Sequence, residues 1–304
     1  MIKEGLEKIV GAEAVLRQQP LSQYTSLKVG GAAEYLVKPK AYHEVAEIIA
    51  FCSARDIPWR VLGRGTNVLV SDQGLEGVVI SLTDNLAKIT VAGAKIIAQA
   101  GASLPRASSV ALVNKLTGLE FAAGIPGSVG GAVVMNAGAY GGEMKDVLRR
   151  VQAVNSQGEL VTFAAQEMEL AYRSSVFQHN GHVVLEAELE LVPGDPLAIQ
   201  EKMDDFNRRR REKQPLEAAS AGSTFKRPEG HYAGQLIESC NLRGTALGGA
   251  AVSEKHCGFI INTGQATAQD IYDLIRKVQA EVEKRHNVRL EPEVKIWGEF
   301  RDTR

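Results

Sequence analysis

The chain is short of cysteine, has almost no net charge and lacks any long apolar run, and each scarcity removes a class of function. Its cysteines, Cys52, Cys240 and Cys257, are an odd number with no C-x-x-C pair, which disfavours a disulfide framework or a zinc site and suits buried free thiols in a reducing cytosol. With 35 Lys+Arg against 36 Asp+Glu the formal net charge is -1, so no global field draws the chain toward nucleic acid or an anionic membrane, and any basic site must be local. The first residues scatter Lys3, Glu4, Glu7, Lys8 and Arg17 among apolar ones, with no stretch of signal-peptide length. The longest uncharged segment, 121–142, could reach across a bilayer, but Pro126 and seven glycines speak against a membrane helix. A cytoplasmic protein with no metal site and no nucleic-acid or membrane partner is expected.

A chain of 304 residues exceeds what one hydrophobic core usually serves, so two or three domains are expected. Apolar residues at helical spacing predict helices over 2–17, 43–55, 104–116, 234–239 and 268–285, with a polar helix over 196–213. Short β-branched runs bounded by Gly, Pro or Asp predict strands at 34–37, 59–62, 68–70, 78–82, 88–91, 96–100 and 183–191, and 151–154 with 160–163 flank a hairpin turn at Asn155-Ser156-Gln157-Gly158. The fold class is α+β, with a mixed α/β first part. Its first domain spans 1–194, subdivided near 84, and Pro193-Gly194-Asp195 leads into a second domain over 195–304.

Five motifs could carry chemistry. Gly63-Arg64-Gly65-Thr66-Asn67 lies between two predicted strands, where paired glycines let main-chain N–H groups close around an anion; taken alone, a tight structural turn is the favoured reading. It is not the G-x-G-x-x-G fingerprint, because position 68 is Val. Gly124-Ile125-Pro126-Gly127-Ser128-Val129-Gly130-Gly131, running on to Asn136 and Gly138, allows a flat ligand or its phosphates to approach the backbone closely, and a helix crossing explains only part of it. In Tyr172-Arg173-Ser174-Ser175 the arginine offers a planar fork for a carboxylate, or else a structural ion pair. Gly222-Ser223-Thr224-Phe225-Lys226-Arg227 exposes a hydroxyl beside two cations; so weak an acid can protonate only a strongly basic carbanion, and no G-x-S-x-G elbow surrounds it. Glu291-Pro292-Glu293-Val294 holds a carboxylate just before a strand, or simply at the surface. Arg208 to Arg211 read as a solvated helical face, Lys213 excepted, and His179 and His182 flank a turn without a metal-ligating cluster.

The order and spacing of these motifs, together with Ser26-Leu27-Lys28-Val29-Gly30-Gly31 and Gly248-Gly249-Ala250-Ala251-Val252-Ser253-Glu254-Lys255-His256, resemble the UDP-N-acetylenolpyruvoylglucosamine reductase (MurB) family over almost the whole chain. The resemblance implies a two-part flavin domain of the PCMH/vanillyl-alcohol-oxidase type followed by a smaller UDP-sugar domain, whose C-terminal strand returns to the active site. It implies FAD, held by Gly63, Arg64, Gly65, Thr66, Asn67, Gly124, Pro126, Gly127, Ser128, Gly130, Gly131, Asn136 and Gly138, with NADPH as reductant. No His lies in the first loop, so a histidyl link to the flavin there is impossible and binding is non-covalent.

The same resemblance makes Ser223 the proton donor, Arg173 and a protonated Glu293 the groups that polarise the enolpyruvyl carboxylate, and Lys213 and Arg227 neighbours of the substrate diphosphate. The chain passes from 183–191 directly to the polar helix, without the tyrosine-bearing loop of one branch of the family, so it resembles the second type, with Tyr172 as a cover for the substrate. The small-molecule substrates are UDP-N-acetylglucosamine enolpyruvate and NADPH, and a monomer is expected. Two rivals stand: a hydroxy-acid or sugar-lactone oxidase on the same type of flavin domain, and a non-catalytic nucleotide-binding module.

Overall fold

The computed structural model describes residues 1–301, and the chain forms two compact units that interleave along the sequence. The first comprises Met1–Arg17, Tyr35–Arg64 and Gly77–Arg210, and the second Gln18–Glu34, Gly65–Glu76 and the chain from Arg211 onward. The expected boundary at 194 falls inside the first unit. Residues 18–34 and 65–76 go with the second unit because Leu27, Val29 and Leu69 are buried in its core, and the polar helix Pro196–Lys213 belongs to the first as far as Arg210.

In the first unit the helix Ile2–Val10 crosses Tyr42–Ser53 so closely that a Cβ on Gly5 would lie 2.3 Å from the Phe51 ring. A five-stranded antiparallel sheet runs Leu160–Ala164, Leu148–Val154, Val183–Glu190, Lys95–Gln99, Ile89–Ala92. Its hairpin forms where the sequence places it: the Asn155 side-chain oxygen accepts from the N–H groups of Gln157 and Glu159 at 3.0 and 2.9 Å, and Gly158 supplies the left-handed residue. A second sheet has the strand order Val15–Pro20, Ala32–Val37, Leu75–Ser81, Trp59–Leu62, the last two parallel.

One expectation fails here, and one helix appears that is not among the expected elements. The helix over 2–17 stops at Val10, because Gly11 turns left-handed (φ 84°) and Val15 begins a strand. A helix at Val129–Val134 appears inside the glycine-rich segment, where Gly130 and Gly131 conceal it from propensity.

The second unit packs the helix Ala268–His286 on a small antiparallel sheet ordered Ala219–Ser220, Ile260–Asn262, Ala250–Val252, Ala246–Leu247. Ile271, Leu274, Ile275, Val278 and Val282 fall on one helical face and are buried, each contributing about 1.5–3 kcal/mol of transfer free energy. Thr267 and Asp270 cap that helix reciprocally, Thr267 Oγ1 accepting from the Asp270 N–H at 3.0 Å and Asp270 Oδ2 from the Thr267 N–H at 2.9 Å. Burial pushes the Asp270 carboxyl up, but the bonds it accepts from the Thr267 and Gly249 N–H groups hold it below its ordinary value. Gly248 and Gly249 make room for the cap: a Cβ on Gly248 would meet the Asp270 carboxyl at 2.3 Å, and one on Gly249 the Ala266 N at 2.2 Å. The strand Lys295–Trp297 pairs in parallel with Val68–Val70.

Candidate functional site

The two glycine-rich segments meet inside the first unit. Gly63 leaves the strand Trp59–Leu62 and faces Ser128 so closely that a Cβ would fall 2.4 Å from the serine Oγ. Ser128 is the N-cap of Val129–Val134, its Oγ accepting from the Gly131 N–H at 3.3 Å. The N–H groups of Val129 and Gly130 are bound to the carbonyls of Ala102 and Ala100, both at 2.8 Å, and a Cβ on Gly130 would strike Ala100. Gly130 thus serves packing, as does Gly124 against Asn207 and Arg210. Gly127 donates to Ile125 O and accepts from Leu104 N. Arg64, Pro126 and Gly131 are exposed; with the first N–H groups of the helix already bonded, the Arg64 cation is what this corner offers to the pyrophosphate of a dinucleotide cofactor.

The far end of the same segment fastens a second loop. Asn136 is fully buried (0% exposed) and left-handed, with φ 40°. Its Nδ2 donates to Glu143 Oε2 and to Ala171 O, both at 3.0 Å, and its Oδ1 accepts from Lys145 N at 2.9 Å. The side chain expected at the cofactor is therefore spent on protein partners. Ala171 and Ser174 exchange backbone hydrogen bonds of 3.1 Å across a tight turn, and within it Arg173 is left-handed at φ 52°. For a residue with a side chain that conformation costs about 1–2 kcal/mol, so the surrounding bonds must enforce it. The half-buried guanidinium donates to Gly138 O at 3.3 Å and lies 5.3 Å from the ring centroid of the exposed Tyr172. A Cβ on Gly138 would fall 2.7 Å from Gly142 O.

The second unit holds seven more of the expected residues: Gly65, Thr66, Asn67, Lys213, Ser223, Arg227 and Glu293. Gly65 is left-handed (φ 62°), and a Cβ there would fall 2.0 Å from Tyr24 O. Beyond Thr66, Asn67 Nδ2 donates to Glu293 O at 3.2 Å, while Asn67 O accepts from Lys295 N at 3.0 Å. Glu293 N donates to Thr224 O at 2.8 Å, Lys226 N to Glu291 O at 2.9 Å, and Phe225 bridges Pro292. Ser223, next to the buried Thr224, is exposed one residue from the pairing of 224–226 with the segment 291–293 that carries Glu293. Two lysines lie on or just past the same two segments. Lys226 Nζ binds Glu291 Oε1 at 2.5 Å, and burial, then the Lys226 charge, push the Lys295 ammonium down against the pull of Glu291 and Glu293. Arg227 lies over the Tyr232 ring at 4.0 Å, and Lys213 is exposed at the end of its helix.

Several residues that position these loops have no role assigned by the sequence, although Ser26 and Ser175 stand in its motifs. Ser26 Oγ donates to Ser220 O at 2.6 Å, and Asn262 Nδ2 to Leu27 O at 3.0 Å, which anchor the motif beginning at Ser26. Ser175 and Gln178 both hold Val134 O, at 2.7 and 2.9 Å. Each is a polar residue in a short loop, and only the fold brings its partner near. A cleft of about 360 Å³ in the first unit, between Glu120, Tyr140, Lys202 and Phe206, contains none of the expected site residues.

Comparison with known proteins gives the geometry its context. Residues 33–164 match the family described as FAD binding domain, and residues 214–297 the one described as UDP-N-acetylenolpyruvoylglucosamine reductase, C-terminal domain. The chain is 48% identical over 299 residues to the UDP-N-acetylenolpyruvoylglucosamine reductase of Caldanaerobacter subterraneus subsp. tengcongensis, covering 98% of this chain and 99% of that one. It is 49% identical to the enzyme of the same name from Clostridium novyi, covering 98% and 97%. The crystal structure of the MurB of Thermus caldophilus superposes with a TM-score of 0.82 at 36% identity, over 93% of this chain and 99% of that one. Phl p 4.0202, a glucose dehydrogenase, shares the fold at a TM-score of 0.51 and 17% identity, over 64% and 44%. Among the described residues no helix is long and apolar enough to cross a membrane.

Proposed function

The chain belongs to the UDP-N-acetylenolpyruvoylglucosamine reductase (MurB) family, and from that premise we propose how its residues divide the reduction of UDP-N-acetylglucosamine enolpyruvate to UDP-N-acetylmuramate for peptidoglycan. The protein is an FAD-dependent oxidoreductase with NADPH as reductant. Bound FAD supplies the hydride, taken from NADPH and given to the terminal carbon of the enolpyruvyl double bond.

As that carbon gains hydride, the electron pair of the double bond moves to its neighbour and on into the carboxylate. Arg173 offers its fork to those oxygens and stabilises the charge as it builds. Glu293 polarises the same carboxylate, and Ser223 transfers its hydroxyl proton to the adjacent carbon. The hydroxyl is a weak acid, yet adequate against a carbanion, and the cations of Lys226 and Lys295 favour the alkoxide left behind. The observation that carries this division is the hydrogen bond from Glu293 N to Thr224 O, 2.8 Å long, which puts Ser223 and Glu293 on adjoining segments although 70 residues separate them. Gly63, Arg64 and the segment 124–131 hold the cofactor, with Gly65, Thr66 and Asn67 continuing the first loop, and Tyr172 covers the substrate. Lys213 and Arg227 bind the substrate diphosphate. The protein works as a cytoplasmic monomer.

The visible absorption spectrum tests the reading directly. Purified protein is expected to show a flavin band that NADPH bleaches and the enolpyruvyl nucleotide restores. Colourless protein that FAD cannot reconstitute would leave only a nucleotide-binding module, and steady oxygen uptake with simple hydroxy acids would favour an oxidase.

Lys213→Ala is expected to raise the KM for the UDP-sugar about 10- to 100-fold, the loss of a hydrogen bond to a charged group, while bleaching by NADPH keeps its rate. The loss falls on KM because a phosphate contact is ground-state binding. Steady-state kinetics decide it: an unchanged KM removes Lys213 from the diphosphate.

A further inference from the structure

We infer that Gln178 is a positioning residue for Arg173, an assignment that rests on the reading of Arg173 as the group that polarises the substrate carboxylate. The Gln178 side-chain amide bridges two carbonyls, donating through Nε2 to Val134 O at 2.9 Å and to Arg173 O at 3.0 Å. Val134 is the last residue of the helix Val129–Val134, and its carbonyl also accepts from Ser175 Oγ at 2.7 Å. Gln178 therefore ties the peptide that follows Arg173 to the end of the helix that opens the glycine-rich site. On the other side of the turn Asn136 grips Ala171 O at 3.0 Å.

Between these two grips lies a backbone conformation an arginine does not choose, φ 52°. In that conformation its guanidinium reaches Gly138 O at 3.3 Å. Without the Gln178 amide the Arg173 carbonyl loses one of the bonds that hold the turn, which favours relaxation of φ toward negative values and a shift of the guanidinium away from the direction the turn imposes. Substrate binding, which draws on many contacts, suffers less than the step in which the carboxylate gains charge.

The test uses the holoenzyme, with each half-reaction followed by stopped flow. Gln178→Met keeps the length of the side chain without a donor, and Gln178→Lys keeps a donor. Gln178→Met is expected to slow reoxidation by the enolpyruvyl nucleotide about 10- to 100-fold, the order expected when a reacting geometry is displaced by about 1 Å. Bleaching by NADPH should stay within about twofold and the substrate Kd within about threefold, as for loss of an interaction made in the transition state. Gln178→Lys should recover most of the rate, and Arg173→Ala/Gln178→Met should be no slower than Arg173→Ala alone. Reoxidation at the parent rate in Gln178→Met, with Arg173→Ala slow, overturns the positioning role and leaves Arg173 in place. Reoxidation at the parent rate in Arg173→Ala overturns the reading of Arg173 itself. A fall in both half-reactions together with the melting temperature, or no recovery in Gln178→Lys, reduces Gln178 to a structural residue and also overturns the inference.

Discussion

Ser223→Ala is expected to bleach its flavin with NADPH at close to the parent rate, yet to be reoxidised by the enolpyruvyl nucleotide about 10²–10⁴-fold more slowly. The asymmetry follows from where the proton is needed. Hydride transfer from NADPH consumes no proton from Ser223, whereas the carbanion left by the second hydride transfer must be quenched. The fold also makes the substitution mild. Ser223 is exposed, and the bonds that fix its segment, Thr224 N to Gly258 O at 2.8 Å and Thr224 Oγ1 from Ile260 N at 3.0 Å, belong to its neighbour. Loss of stability is therefore a poor explanation for a slow second step. Stopped-flow measurement of each half-reaction is decisive, and near-normal reoxidation by substrate would end the assignment of Ser223 as proton donor.

Gly65→Ala is expected to cost the apoprotein about 3 kcal/mol or more, among the larger effects of a single substitution. The methyl would sit 2.0 Å from Tyr24 O, a backbone atom that cannot turn aside, and Gly65 is left-handed besides. Ser26 N donates to Gly65 O at 3.0 Å, so the segments cannot part without losing that bond as well. Gly222→Ala is the control. Gly222 has a similar φ of 75° but nothing within 4 Å of a Cβ, so it should lose only the about 1–2 kcal/mol of the left-handed conformation. Denaturant titration of both apoproteins separates the two costs. A Gly65→Ala protein as stable as its parent would show that the residue is kept for a ligand and not for the Tyr24 carbonyl.

That contrast shows where sequence reasoning reaches its limit. Glycines at 63, 65, 124 and 130 read as room for a cofactor, but each is crowded by the protein's own atoms, and crowding leaves no mark in the sequence beyond the glycine itself. The same holds for Asn136, whose partners Ala171, Glu143 and Lys145 lie 35, 7 and 9 residues away. Elements with strong punctuation were legible. Trp59–Leu62 lies between Pro58 and Gly63, Val68–Val70 follows a glycine loop, and Pro196–Lys213 starts at a proline; all three have the predicted bounds. Ala250–Val252 and Ile260–Asn262, three residues each, are too short to show alternation and read as loops. Ser223 and Glu293 were identified by resemblance, because only the pairing of 224–226 with 291–293 makes them neighbours.

The parallel pairing of Val68–Val70 with Lys295–Trp297 carries a consequence for synthesis on the ribosome. An early strand has as its partner one made 227 residues later, from Val68 to Lys295. At roughly 5–20 residues per second, the interval is about ten to fifty seconds. Throughout it, an apolar Val-Leu-Val edge emerges from the exit tunnel with no β-partner to cover it. The second unit, to which Val68–Val70 belongs, cannot close until the last part of the chain is made, and an apolar strand left open in this way is the kind of surface that holdase chaperones bind.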